Sequence, residues 1–383
     1  MNPIQATGPI VLATGGTGGH VFPAQALAGE LRNRGHRLAL VTDRRGDAYS
    51  GPLGELEAHT ISAAGVSGKG IGSRIAAAFK LMVGYFQARR LLKTLRPAAV
   101  VGFGGYPSVP TMLAASHLGL RTAIHEQNAV LGRANRLLSS RVARIAVSFE
   151  RTDGLRARDL SKLERVGNPV RPEIAGLSGN VYEGPTEGKP ITVLIVGGSQ
   201  GAQILGESVP AAMAMLPGDL RRRLRVEQQV RPEQLETVRA AYTGTGIDTD
   251  IRDFFDDMPD RLSRAHLVIS RAGASTIAEL TAVGRPSILI PYAHAIDDHQ
   301  AANAARLSDA AGGWAIPQKD VTPEDLARRM KDLFQTPTVL SAAAQAAAKI
   351  GRPDATARLA DLVEELAGGN GAVPPRETGK EAA

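Results

Sequence analysis

The stretch VLATGGTGGHVFPAQAL, residues 11–27, runs from an apolar strand pattern through four glycines in five residues into a helical pattern. ITVLIVGGSQGAQIL at 191–205 repeats the same succession about halfway along the chain. A parallel strand pair needs a long crossover, which a helix supplies, so a buried strand, a tight turn and a helix form the repeating unit of a parallel sheet. Further apolar runs at 37–42, 98–102, 122–125 and 143–148 accompany the strand at 9–13, and runs at 224–228, 266–270 and 287–290 accompany the strand at 191–196. Helical patterns at 23–34, 132–140, 202–215, 274–283 and 299–310 separate them. The predicted fold class is α/β, with two Rossmann-like domains in tandem.

The chain has 383 residues, 43% of them hydrophobic, enough for two cores. VGNPVRPE at 166–173 breaks both periodicities with a glycine and two prolines, which places the joint there. The expected division is 8–166 and 167–351. An amphipathic helix over 352–367 can pack back on the first domain, and residues 368–383 have the composition of a disordered tail. The absence of cysteine rules out disulfides and thiolate metal sites and suits a reducing cytoplasm. No stretch approaches the ~20 apolar residues of a membrane span. The net charge of +7 raises the question of nucleic acid, but 4% aromatics is too few for stacking platforms, and no nucleic-acid partner is expected. The charge is concentrated: between Glu57 and Glu126 there are eight Lys/Arg and no acidic residue. Such an excess fits an anionic phospholipid surface.

A glycine turn after a parallel strand lets backbone amides approach an anion, with the positive end of the next helix behind them. GGTGGH does not satisfy G-x-G-x-x-G and no P-loop occurs, so neither a dinucleotide fingerprint nor a Walker site is supported. Pro23 suits the first turn of the following helix. His20, at that helix N-terminus, either serves as a general base or only hydrogen-bonds the turn. GGSQGA at 197–202 adds the Ser199 hydroxyl, and RAGASTIAEL at 271–280 adds Ser275, Thr276 and the amides of a helix beginning near Ala274. Glu279 can accept from ribose hydroxyls or stand as a solvated helix residue. Asp297, Asp298, His299 and Gln300 can bind sugar hydroxyls or cap a helix. The D-x-D triplet Asp248–Asp250 follows no buried strand, and His294 and His299 lack a ligand set. No metal site is expected.

GGTGGHVFPA, GGYPSVP at 104–110, HEQNAVLGRANR at 125–136, GNPVR at 167–171, GGSQGA, RAGASTIAEL and HQAANA at 299–304 occur in one order. Together they make the chain, over about residues 8–367, similar to the MurG glycosyltransferases. The resemblance implies GT-B architecture, two Rossmann-like domains with parallel sheets facing a central cleft. It implies inverting transfer of N-acetylglucosamine from UDP-GlcNAc to the 4-hydroxyl of the muramyl sugar of undecaprenyl-diphosphate-linked lipid I, giving lipid II for peptidoglycan. Donor contacts implied are Thr17, Gly18, Gly19 and Asn128 from the first domain. From the second they are Arg171, Ser199, Phe255, Ala274, Ser275, Thr276, Ile277, Ala278, Glu279 and Gln300. His20 is the first choice of catalytic base and Glu126 the second. No cofactor is obligatory, a non-essential divalent cation being left open, and cell-wall synthesis proteins are candidate partners. The implied location is peripheral, on the cytoplasmic face of the plasma (inner) membrane.

Segment 73–95 fits that location. At 100° per residue Ile75, Phe79, Met82, Val83 and Phe86 form one apolar stripe, and Leu81, Tyr85, Ala88, Leu92 and Leu95 another. One stripe can pack on the domain. The other, flanked by Lys69, Arg74, Lys80, Arg89 and Arg90, can lie among lipid headgroups. Two other readings stay open: a UDP-GlcNAc 2-epimerase of the same architecture and a non-catalytic sugar-nucleotide sensor.

Overall fold

The computed structural model describes residues 8–16, 18–43, 51–63, 71–198 and 202–368. Strands β1 (Ile10–Ala13), β2 (Leu38–Thr42), β3 (Glu57–Thr60), β4 (Ala99–Gly102), β5 (Thr122–Glu126), β6 (Arg144–Val147) and β7 (Leu163–Arg165) form one sheet. Its order is β3-β2-β1-β4-β5-β6-β7. Strands β8 (Ile191–Val196), β9 (Leu224–Gln229), β10 (Asp248–Arg252), β11 (Leu267–Ser270), β12 (Ser287–Leu289) and β13 (Gly313–Ala315) form a second, ordered β10-β9-β8-β11-β12-β13. All pairings within both sheets are parallel. The helices of the first half are α1 (Gly18–Asn33), α2 (Gly51–Gly54), α3 (Ile71–Leu95), α4 (Gly105–His117) and α5 (Arg133–Leu138). Those of the second are α6 (Pro172–Ala175), α7 (Gln203–Ala214), α8 (Gly218–Arg221), α9 (Leu235–Tyr242), α10 (Met258–Arg264), α11 (Ala274–Val283), α12 (His299–Asp309), α13 (Pro323–Gln335), α14 (Pro337–Ile350) and α15 (Ala355–Gly368).

Strand β1 shows why these runs are apolar throughout. Ile10 and Leu12 enter a core shared with α1 and α15, while Val11 and Ala13 enter one shared with α3 and α4. Successive side chains alternate faces, and both faces are covered. After the second sheet the chain crosses back. α15 buries Leu359, Ala360, Leu362 and Val363 in the first-domain core. Arg34 bonds Asp361 at 2.6 Å and Glu364 at 2.7 Å, and Arg121 donates to the carbonyls of Leu366 and Ala367.

Several expectations are corrected here. Helix α1 begins at Gly18, five residues ahead of the expected start. Pro23 therefore falls in its second turn, and the Gly19 carbonyl loses the bond an N–H there would have made. Four strands lie outside the predicted set. β3 and β10 are mostly polar and carry little buried side chain, while β7 and β13 span only three residues each. β3, β7 and β10 offer no uninterrupted apolar run, and that at β13 is only residues 314–316. The triplet Asp248–Asp250 is thus part of a strand, its carboxylates paired with Arg225, Arg252 and Arg261.

Because Leu359 is fully buried in the first-domain core, Leu359→Ala is expected to cost ~2–5 kcal/mol of stability. Urea unfolding followed by circular dichroism measures this, and an unchanged midpoint would mean α15 is not part of that core.

Candidate active site

The turns that follow β1, β4, β5, β8, β9, β10, β11 and β12 all open on one cleft of ≈ 1560 Å³, lined by residues of both sheets' domains. In a parallel sheet this edge collects the helix N-termini, each with amides lacking intrahelical partners.

On the first-domain side two glycine loops interlock. Gly16 takes φ +97°. A Cβ at Gly15 would stand 2.7 Å from Pro107, and one at Gly105 would stand 2.9 Å from the Gly15 carbonyl. The bare backbone after β1 thus lets α4 approach it. His20 lies in the first turn of α1 against this junction, close enough that a Cβ at Gly104 would come within 3.2 Å of its ring. Its Nδ1 lies 3.0 Å from Gln127 Oε1, and Thr14 Oγ1 donates to its carbonyl. Beneath it His125 is fully buried and bonds the Gly167 carbonyl through Nε2 at 2.9 Å. Burial pulls the His125 pKa down to about 4.

Glu126 is 1% exposed. Its Oε1 accepts from the amide and side chain of Asn128, and its Oε2 from the Gly132 amide and Asn135 Nδ2, at 2.9–3.3 Å. Both oxygens hold the 128–132 turn and the start of α5, and Glu126, the second candidate base, also lines the cleft. Asn128 and Gly19 line the cleft; Gly18 does not, packing instead beneath Phe22.

On the second-domain side α11 starts from Gly273, which offers no side-chain cap. Ala274, Ser275, Thr276 and Glu279 line the cleft, and the buried Ser275 hydroxyl has no partner among the described residues. Arg171 reaches Glu279 at 3.3 Å. Burial raises the Glu279 pKa, and Arg171 works against that rise. Gln300 lines the cleft with its Oε1 accepting from the Tyr292 amide. Ile277 and Ala278 do not reach the cleft. The helical turn points them into the second-domain core, which corrects their expected place among the donor contacts. Phe255 is 3% exposed, packed in that core with the Arg261 guanidinium 3.8 Å from its ring centroid, yet it lines the cleft beside its neighbour Phe254, which is 69% exposed. Thr17 and Ser199 lie outside the described residues.

Sequence reasoning missed the residues that join the halves. Asn303 of α12 is fully buried; it accepts from the Ala129 amide at 2.8 Å and donates to Asn128 Oδ1 and the Ala272 carbonyl. Arg133 pairs with Asp297 at 3.0 Å and Arg306 with Asp153 at 2.9 Å. The Arg133 guanidinium holds the Asp297 carboxyl below its ordinary range. The available signal was an asparagine on the apolar stripe of an alanine-rich helix, at a position where burial demands partners.

Away from the cleft, α3 buries Ala88 and Leu92 and leaves Ile75, Phe79, Met82 and Phe86 between 55% and 65% exposed. Val83 is half-buried, Lys80 and Arg90 are exposed, and Arg89 bonds the Tyr85 hydroxyl. Lys69 lies outside the described residues. Among the described residues no helix is long and apolar enough to cross a membrane, and no group of three or more His, Asp or Glu could hold a metal ion.

This arrangement defines a two-domain α/β transferase of GT-B architecture. Models of the glycosyltransferase family 28 N-terminal and C-terminal domains match residues 10–147 and 192–364. The UDP-N-acetylglucosamine–N-acetylmuramyl-(pentapeptide) pyrophosphoryl-undecaprenol N-acetylglucosamine transferase of Paramagnetospirillum magneticum is 56% identical over 93% of this chain and 96% of its own. The crystal structure of Acinetobacter baumannii MurG superposes with a TM-score of 0.77 at 30% identity, covering 93% of this chain and 99% of that one. A UDP-N-acetylglucosamine 2-epimerase shares the fold, with a TM-score of 0.60 at 12% identity over 92% of this chain and 94% of its own. The chain belongs to the MurG family of N-acetylglucosaminyltransferases.

The His125 pKa in the folded protein, about 4, lies below its ordinary 6.5. The unfolded chain therefore takes up that proton first. The contribution to stability is complete above about pH 6.5 and is lost as pH falls through about 4, on the order of 3 kcal/mol at most. Melting temperatures across this window should fall more steeply for the wild type than for His125→Asn; parallel curves would place the acid sensitivity elsewhere.

Proposed function

We propose that this chain transfers N-acetylglucosamine from UDP-GlcNAc to the 4-hydroxyl of the muramyl sugar of lipid I, forming lipid II with inversion at the anomeric carbon. The observation that carries this reading is the meeting of two unlike half-sites across one cleft. His20 stands on the first-domain wall, and the uncapped start of α11 stands opposite with Arg171 and Glu279. Full-length similarity to a transferase with this printed substrate pair supports the same assignment.

The chemistry follows from these groups. The acceptor hydroxyl must lose its proton as its oxygen attacks the anomeric carbon, and the diphosphate must leave as charge grows on it. His20 takes the proton. The amides at the start of α11, the Ser275 hydroxyl and Arg171 receive the developing negative charge. Glu279 accepts from ribose hydroxyls. In this reading no cofactor is required, and a divalent cation modulates the rate at most.

The acceptor is a lipid, so the enzyme meets a membrane. The exposed apolar stripe of α3 and its basic flank dock peripherally on an anionic phospholipid surface, each basic residue contributing ~1 kcal/mol.

Incubation with UDP-GlcNAc and a lipid I analogue should release UDP only when the acceptor is present, and chelation with EDTA should leave turnover in place. Acceptor-independent formation of UDP-ManNAc would identify an epimerase, and donor binding without turnover a sensor. His20→Ala is expected to lower kcat by ~10²–10⁴ with UDP-GlcNAc affinity nearly unchanged; a large affinity loss at normal kcat would assign His20 to binding. In co-sedimentation, vesicle binding should rise with anionic lipid content, weaken in salt, and weaken in Phe79→Ser/Phe86→Ser. Insensitivity to all three would refute the docking surface.

A further inference from the structure

A histidine can act as a base only through a ring nitrogen that carries no proton, and a neutral ring has two tautomers to choose from. The wall behind His20 makes that choice. Gln127 is buried, and its Nε2 lies 3.0 Å from the Phe103 carbonyl and 3.1 Å from the His125 carbonyl. Only an N–H group can face two carbonyl oxygens, so the orientation of the Gln127 amide is fixed. Its third contact agrees: His125 donates through Nε2 to the Gly167 carbonyl, which leaves His125 Nδ1 as an acceptor 3.1 Å from the same Gln127 nitrogen. The remaining amide atom, Oε1, is therefore the one that faces His20 Nδ1 at 3.0 Å. A carbonyl oxygen only accepts, so Nδ1 must donate. His20 Nε2 has no protein partner among the described residues, and the ring lines the cleft.

We propose that Gln127 is a positioning residue that holds His20 in the tautomer protonated at Nδ1, keeping Nε2 bare toward the cleft. The chain of bonds does not end at the wall. Gly167 sits where the chain leaves the first sheet for the second. Its φ of +94° and the packing of Arg352 and Ala355, which a Cβ there would strike at 2.6 Å and 2.9 Å, hold the carbonyl that fixes His125. The ring that faces the substrate is thus oriented from the crossover between the domains.

This inference rests on reading His20 as the base, and the measurements separate the two. In the wild type, ¹⁵N-histidine NMR, with the His20 signals assigned by their loss in His20→Gln, should show a protonated Nδ1 and an unprotonated Nε2. The opposite tautomer would overturn the proposal. Gln127→Met keeps the volume and removes the acceptor. It is expected to lower kcat about 10–100-fold with KM for UDP-GlcNAc nearly unchanged, and to lower the melting temperature, because the Phe103 and His125 carbonyls lose their donor. Wild-type kcat, or a loss confined to KM, would overturn it. Gln127→Glu keeps an acceptor at Nδ1 and should retain more turnover than Gln127→Met; equal losses would assign Gln127 to wall packing alone. If His20→Ala turns over normally, the base reading fails, and the ring-nitrogen spectrum still decides the tautomer.

Discussion

A helix leaves its first amides without partners inside itself, and the rest of this molecule is arranged around where those amides fall. Parallel sheets gather them at one edge. Most helices have a polar side chain at the N-cap to satisfy them. Those that open on the cleft do not: α4 and α11 begin at Gly104 and Gly273, α5 at Gly132 and α7 at Ala202, none with a side-chain cap. Helix α13 is capped in the ordinary way, with Thr322 accepting from the Asp325 amide, whereas α8, α9 and α14, also away from the cleft, begin without a side-chain cap. What sets the ends at Gly104, Gly132, Ala202 and Gly273 apart is their place: they face the cleft, where an anionic ligand can supply the missing acceptor.

Two such edges facing one another are useful only if their spacing is controlled. Asn303 supplies a direct link, bonding the 128–129 backbone and side chain of one domain and the Ala272 carbonyl just ahead of α11 in the other. Glu126 holds the same 128–132 turn from beneath. Asn128 is therefore fixed from both halves, and movement of α11 relative to the first sheet is felt at that residue. The Arg133–Asp297 and Arg306–Asp153 pairs lie outside this clasp, more exposed, where ion pairs contribute little to stability and more to register.

The sequence made the centre of each sheet legible and left its margins obscure, for one physical reason. Covered on both faces, β1 and β4 are apolar throughout and β8 and β11 are apolar but for Thr192 and Ser270, while β5 is buried as deeply although it carries Thr122, His125 and Glu126; β3 and β10 are edges, half solvated, and offer no apolar run. The α3 stripe could be read because helical spacing separates Ala88 and Leu92 from Phe79 and Phe86 whatever covers them. The glycine motifs announced the cleft. They do not reveal which side chains of a motif turn inward: Ile277 and Ala278 belong with the packing of the second-domain core, and Phe255 serves both that core and the cleft wall. Gln127 and Asn303 escaped notice because their roles depend on partners 24 to 175 residues away in the chain.

The two walls of the cleft differ in kind, and the difference suits the reaction. The first-domain wall is a buried polar network in which His125, Glu126, Gln127 and Asn135 bond one another or the backbone. In a low-dielectric setting a connected network of this type is rigid, because moving any member strands its partners. The second-domain wall presents the first amides of α11, a Ser275 hydroxyl with no partner among the described residues, and the Arg171–Glu279 pair. A base must be held in one orientation before the acceptor arrives, whereas a leaving diphosphate must find donors that strengthen as its charge grows. Fixed acceptors on one side and waiting donors on the other meet both needs, with little reorganisation during the step itself.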